Sequence, residues 1–210
     1  QCIGRAIADA PDGKFKDDSP RPFICQADLG GSIDPSPFVD EDSSAWLLWK
    51  NDGNCCGLSV GLWIQQLSDD GLSLVGRPVE LLRHDRAWEA PLIEGPSMLK
   101  HGGRYYLFYS ANWYESADYA VGYAVAEAIT GPYRKMTTDG PLFAGRGDDR
   151  QALAHLHFLA LSHGNVRQDT GLESLHGHRG LVRLHVGDLL AGLDRIALLL
   201  VPFDDGAFDH

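Results

Sequence analysis

Two runs, Ala45-Trp46-Leu47-Leu48-Trp49-Lys50 and Tyr105-Tyr106-Leu107-Phe108-Tyr109-Ser110, are apolar at nearly every position where a half-exposed strand would alternate. That pattern predicts short strands buried on both faces. Each run follows the same prelude of an acidic residue, a Pro/Ser break, an apolar pair and a polar turn. The preludes are Asp34-Pro35-Ser36-Pro37-Phe38-Val39 and Glu94-Gly95-Pro96-Ser97-Met98-Leu99, and the match runs without a gap from Asp34 and Ala45 to Glu94 and Tyr105. The stretch after the aromatic strand repeats as well. Ile3-Gly4-Arg5-Ala6-Ile7-Ala8 matches Val121-Gly122-Tyr123-Ala124-Val125-Ala126, and Val60-Gly61-Leu62-Trp63-Ile64-Gln65 is a more diverged copy. Every copy ends in a Pro-apolar step, at Pro22, Pro78 and Pro141.

The unit therefore holds about four short strands with Gly, Pro and Asp at the turns and no helical periodicity. Such units predict an all-β chain, a β-propeller whose blades stack face to face. A two-sheet sandwich has similar strands but gives no reason for the repeat. Cys2 to Phe15 reads as the second half of a blade, so the first blade is expected to be incomplete. A further copy is due near residue 153 and does not arrive. From there the composition also shifts: all five Trp, all seven Tyr and the lysines at 14, 16, 50, 100 and 135 precede Gly147, whereas His155, His157, His163, His176, His178, His185 and His210 follow it. Residues 1–146 are thus expected to form a partial propeller and residues 147–210 an atypical tail. Two readings of that tail are a separate segment, helical around Val186 to Leu200, and a non-native reading frame.

Composition narrows the partners. With 44% hydrophobic and 22% charged residues the chain has the balance of a globular protein, and its net charge of -11 and pI near 5.1 argue against nucleic acid, which needs a basic face. No apolar run approaches the roughly 20 residues of a membrane-spanning helix. The chain opens at Gln1 without a charged-then-apolar leader, which fits a processed or partial chain of a secreted or a cytoplasmic enzyme. Cys2, Cys25, Cys55 and Cys56 include no C-x-x-C pair, which disfavours a zinc site, and the adjacency of Cys55 and Cys56 reads as incidental.

The candidate chemistry lies at the acidic residues that open the units. Glu94 stands between apolar residues and a Gly-Pro break, and a carboxyl group removed from water is a candidate proton donor. In a propeller the first strands line the central channel, so Asp34 and Glu94 are expected to face one cavity. Paired carboxyls of this kind serve glycoside hydrolysis. The structural alternative is that both cap turns, as Asp does before Pro. Trp88, Trp113 and Tyr114 are candidates to stack on sugars, with rim or core packing as the alternative. Lys50 is a candidate substrate contact, with a solvated lysine as the alternative. The tail histidines lack metal-ligand spacing.

The segments Gly31-Ser32-Ile33-Asp34-Pro35-Ser36-Pro37-Phe38, Trp49-Lys50-Asn51-Asp52-Gly53-Asn54 and Ile93-Glu94-Gly95-Pro96, with Tyr105 to Ser110 and Tyr119-Ala120-Val121-Gly122-Tyr123-Ala124, resemble glycoside hydrolase family 43 over residues 2 to 146. The resemblance implies a five-bladed propeller, here with the first blade missing and the last altered. It further implies an inverting glycosidase acting on arabinose- or xylose-containing polysaccharide. Glu94 matches the general acid and Asp34 the aspartate that raises and orients it. The general base belongs to an Asp-Pro motif expected upstream of Gln1. No cofactor is implied. The family's structural calcium at the propeller axis has no identifiable ligands, because Gly145-Arg146-Gly147-Asp148 does not lead into the expected Gly-His strand. A non-catalytic carbohydrate-binding propeller and a retaining, fructoside-type propeller hydrolase are the alternatives.

Overall fold

The computed structural model describes residues 1–144 and 196–197. These residues form antiparallel strands and three short 3-10 turns, Ala27–Leu29, Gly53–Cys56 and Ala87–Glu89. Strands β2 (Ser32–Val39), β3 (Ala45–Asn51), β4 (Gly61–Leu67) and β5 (Leu74–Arg83) make one sheet in chain order. A second sheet contains β6 (Ile93–His101), β7 (Arg104–Ala111) and β8 (Ala120–Ala126), and its outer strand is split into β9 (Arg134–Lys135) and β10 (Phe143–Ala144), both paired with β8. Each sheet is one propeller blade, as the repeat predicts.

Ahead of them, β1 (Ala6–Ile7) lies in a hairpin bridged at Ile3–Ile24 and Ile7–Lys16, with a disulfide between Cys2 and Cys25. This is the half-blade expected for the opening residues. On its other side β1 pairs with β11 (Ile196–Ala197). Those two residues fall inside the stretch expected as helix and are extended instead, because a strand edge offers unpaired N–H and C=O groups that only another extended segment satisfies. The boundary at residue 147, Gly145 to Asp148 and the tail histidines lie outside the described residues. Cys55 and Cys56, expected to be adjacent by chance, are joined as a vicinal disulfide in the exposed Gly53–Cys56 turn.

The register corrects the gap-free repeat. Ser36 pairs with Leu48 and Val39 with Ala45, whereas Ser97 pairs with Phe108 and Lys100 with Tyr105. The second hairpin is one residue shorter: it closes through Gly102-Gly103, both at positive φ (57° and 72°), the backbone a two-residue hairpin turn requires. First strands are therefore displaced by one residue relative to the sequence match. Ile33 opposite Lys50 is the counterpart of Glu94 opposite Ser110, and Asp34 is the counterpart of Gly95. Both blades carry a bulge there, with one extra residue between Ile33 and Ser36 and between Glu94 and Ser97. The leading bulge residue is left-handed in each, Asp34 at φ 55° and Gly95 at φ 58°, and a proline follows in both, Pro35 and Pro96. Proline fits because the bulge leaves it outside the hydrogen-bonded ladder.

Stacking explains the unbroken apolar runs. Leu47 and Trp49 point toward the opening hairpin and pack with Ile3, Ile24 and Leu67. Leu48, one step along, points the other way and packs with Leu62, Ile64 and Leu82 against Ile93, Tyr105, Leu107 and Tyr109 of the second blade. A polar clamp closes the edge of this layer. Lys100 Nζ donates to Asp40 Oδ1 (2.6 Å) and the Tyr105 hydroxyl donates to Asp40 Oδ2 (2.5 Å). Burial pushes the Asp40 carboxyl up, but donors from Lys100, Tyr105 and the Glu41 amide outweigh it and hold the group below the usual range.

Leu107 has no exposed surface, and Leu107→Ala should cost about 2–5 kcal/mol, read from the denaturant midpoint. Because the Asp40 pKa is depressed on folding, its stabilisation exists above the ordinary carboxylate range and disappears as pH falls through the lowered value. Asp40→Asn should therefore lower Tm at neutral pH, with the gap closing on acidification.

Candidate active site

The two bulges bring the acidic residues together across the blade interface. Side chains alternate along a strand, so the one-residue displacement alone would send Asp34 and Glu94 to opposite faces. The left-handed backbone at Asp34 re-aims its carboxylate toward the second blade, where Oδ2 accepts the Gly95 N–H at 3.0 Å. Asp is one of the few residues that tolerates this conformation.

Glu94 has lost the apolar company it keeps in the sequence. Leu92 and Ile93 turn into the core, while each Glu94 oxygen accepts a hydrogen bond from a polar group. Lys50 Nζ donates to Oε2 at 3.1 Å, and the Tyr119 hydroxyl donates to Oε1 at 2.8 Å. The Glu94 side chain keeps 17% of its surface exposed, enough for a substrate oxygen to reach it. Lys50 is not the solvated lysine of the sequence alternative, and it offers no surface for a substrate contact. It has no exposed surface, since β3 is covered on both faces, and its charge faces inward to Glu94.

Electrostatics follow from this crowding. Burial pushes the Asp34 carboxyl up; the Lys50 ammonium and the Gly95 amide pull it down, and Glu94 pushes it up again. Asp52, at the end of the same lysine-bearing strand, is likewise raised by burial first, and then by Glu94 against the pull of Lys50. Tyr119 is pushed well above the ordinary phenol range by burial and by the Glu94 charge, so it remains a donor. Tyr119 lies just ahead of the repeated Val121 to Ala126 segment, and its role was not legible in the sequence: the hydroxyl reaches Glu94 because β8 runs beside β7. Asn51 was also missed. Its amide donates to Leu29 O and Ser59 O and accepts from Gly61 N and Trp63 Nε1, closing the loop behind Lys50.

The approach to Glu94 is braced by a buried network. Glu89, with no exposed surface, accepts from Lys135 Nζ (2.5 Å), the Tyr109 hydroxyl (2.7 Å) and the Asp85 amide (2.9 Å). Trp88 lies parallel to Tyr109 with ring centroids 6.4 Å apart and donates to Thr137 O. It is half-buried and packs against the core through this contact. A Cβ at Gly122 would stand 2.7 Å from its ring, so β8 can pass only as glycine. Trp113 and Tyr114 are different: both are exposed, at 39% and 47%, on the loop from β7 to β8. Among the described residues no three His, Cys, Asp or Glu side chains are grouped so as to hold a metal ion, and Gly145 to Asp148, where the family's calcium strand was expected, lie outside them.

A raised Asp34 pKa means that the folded chain binds this proton more tightly than the unfolded one. Stability then falls as pH rises from the ordinary carboxylate range through the raised value. Asp34→Asn keeps an acceptor for Gly95 and suits the left-handed backbone. It should raise Tm at neutral pH, with the gain vanishing below the ordinary range; an unchanged Tm across pH would refute the burial cost.

Comparisons with known proteins agree with this geometry. The family model described as glycosyl hydrolases family 43 matches residues 1–167. A beta-D-galactofuranosidase, xynD, of Aspergillus niger is 28% identical over 132 residues, covering 62% of this chain and 35% of the relative. Among solved structures, a thermostable family-43 glycoside hydrolase superposes with TM-score 0.59 at 33% identity, and an endo-1,4-beta-xylanase from Bacteroides thetaiotaomicron with 0.58 at 32%. Each superposition covers 69% of this chain and 48% of the other, so the chain spans about half the length of these structures. With two stacked four-strand blades, acidic residues meeting at their bulges, and a family match covering more than half of its length, the chain belongs to glycosyl hydrolases family 43.

Proposed function

We propose that this chain supplies the acid side of an inverting glycosidase site acting on arabinose- or xylose-containing glycans, with Glu94 as the proton donor. The observation that carries the reading is the convergence on one partly exposed carboxyl, Glu94, of a buried lysine, a tyrosine hydroxyl and a second carboxylate anchored to the next amide. In the reaction Glu94 gives its proton to the glycosidic oxygen as the bond from that oxygen to the anomeric carbon breaks. A water attacks the same carbon from the opposite face and loses its proton to a carboxylate base, which inverts the configuration. Tyr119 and Lys50 hold the Glu94 carboxyl in one orientation through the transfer. Asp34, anchored to the Gly95 amide beside Glu94, modulates it.

The base is a further aspartate. An inverting pair needs about 6.5–9.5 Å between carboxyls to admit the water. Asp34 bonds to the amide adjoining Glu94 and so stands beside the acid, while Asp52 is buried.

In the protein that carries this chain, Glu94→Gln should lower kcat on xylo- or arabino-oligosaccharides by roughly 10²–10⁴-fold with little change in KM. The loss should shrink on aryl glycosides whose leaving group needs no proton. Proton NMR of the first-formed sugar should show the inverted anomer. Retention of configuration, or full activity in Glu94→Gln, would sink the assignment.

A further inference from the structure

The turn Gly53–Cys56 follows directly on β3, the strand that carries Lys50 and ends in Asn51. It is pressed onto the segment that leads into Asp34: the Asp52 N–H donates to Gly31 O at 3.1 Å, a Cβ on Gly30 would stand 2.5 Å from Asp52 O, and Cys55 Sγ lies 3.7 Å from Gly30 O. The turn also closes on itself, with the N–H groups of Gly57 and Leu58 both donating to Gly53 O. The Asn51 side chain clasps both flanks, donating to Leu29 O on one side and to Ser59 O on the other. Asn51, Asp52 and Gly53 are buried, whereas residues 54–59 are exposed, both cysteines included.

The two disulfides of the chain differ in what they can do. Cys2–Cys25 spans 23 residues beside the Ile3–Ile24 bridge, with 4.8 Å between Cα atoms. It restricts the unfolded chain, and its separation falls inside the usual disulfide range of roughly 4.4–6.8 Å. Cys55–Cys56 closes no loop, so it removes almost no entropy from the unfolded chain. Adjacent residues are held 3.8 Å apart across a trans peptide whatever the fold, below that range, which makes their disulfide the more readily reduced. A bond that does so little to hold the chain together, and that stands in solvent on a turn bearing on Asn51, is placed for exchange.

We infer that Cys55–Cys56 is a thiol–disulfide exchange site, opened by a small thiol and closed by the corresponding small disulfide, whose state is transmitted to Asn51. The thiolate of the small thiol attacks Cys56 Sγ, since Cys55 Sγ lies against Gly30 O. The bond between the two cysteine sulfurs breaks, its electron pair leaves with Cys55, and Cys55 takes a proton from water. A second thiolate attacks the small thiol's sulfur in the mixed disulfide, which releases the small disulfide and the Cys56 thiolate, protonated in its turn. Two molecules of thiol are thereby oxidised to one disulfide as the cysteine pair is reduced, and the small disulfide drives the same steps backward. As a thiol Cys55 can donate to Gly30 O, which the disulfide cannot do, and the freed turn resets the clasp that Asn51 makes on its flanks. The site does not rest on the assignment of Glu94 as proton donor.

The test treats the full chain, without denaturant, with reduced glutathione, quenches with acid, alkylates with iodoacetamide and maps the peptides by mass. Cys55 and Cys56 should be alkylated at least about tenfold more than Cys2 and Cys25, and without glutathione neither pair should be alkylated. Opening the pair should move Tm by less than about 2 °C, because no loop is released. It should shift the Asn51 side-chain amide resonances in a proton–nitrogen correlation spectrum, and oxidised glutathione should return them. The double variant Cys55→Ser with Cys56→Ser should show the shifted resonances permanently and no response to glutathione. Alkylation of Cys55 and Cys56 before any thiol is added, resistance of the pair to glutathione, or opening only together with Cys2–Cys25 overturns the exchange site. Asn51 resonances that stay in place when the pair opens overturn the transmission.

Discussion

A lysine ammonium with no exposed surface organises the site. Removing a cation from water costs several kcal/mol unless opposite charge and hydrogen bonds replace the lost solvent. Lys50 meets that demand by donating to Glu94, and its charge also acts on Asp34 and Asp52. The lysine belongs to one blade and Glu94 to the next, so the charge balance is complete only when the blades stack. The apolar layer beneath, from Leu48 to Tyr109, holds them at that distance. A site assembled this way inherits the rigidity of the core.

Stacking also dictates where chemistry can sit. Both faces of β3 are consumed by packing, as is the face of β7 that carries Tyr105, Leu107 and Tyr109, which leaves no face between the blades free for reactive groups. The bulges escape this constraint. There the ladder opens, a proline takes the unpaired position, and the leading residue adopts a left-handed backbone that turns its substituent out of the pleat. One blade places an aspartate there and the other a glycine, which donates its N–H to the Asp34 carboxylate. The two acidic residues are thus complementary parts of one contact.

The loops around Glu94 are held by a second set of buried polar groups. Glu89 binds Lys135, Tyr109 and the amides of the preceding turn, and its backbone accepts the Asn112 N–H. Every donor or acceptor in such a network must find a partner, since an unpaired one in the interior costs more than the bond contributes. The same network fixes the turn before β6 and the start of the loop after β7. Glu94 lies between them, so the acid and the aromatic loop beside it share one foundation.

Much of this could be read from the chain alone. Unbroken apolar runs bounded by Pro, Gly and Asp determined short strands buried on both faces, and their recurrence determined stacked blades; these are local patterns, and the physics that produces them is local. The acidic residues at the heads of the first strands were legible for the same reason. Tertiary structure decided the rest. Register depends on a single residue lost from a hairpin, which a gap-free match of sequences conceals, so Asp34 and Glu94 looked equivalent although they are one position apart. Lys50 reads as a surface residue until both its neighbours are covered, and Tyr119 as one more strand aromatic until β8 swings it beside Glu94. Trp88 and Trp113 are the same residue type in the sequence, yet one is half-buried between a glycine and the core and the other stands in solvent. Burial and charge pairing are set by what arrives from distant parts of the chain, and only the packed blades bring those parts together.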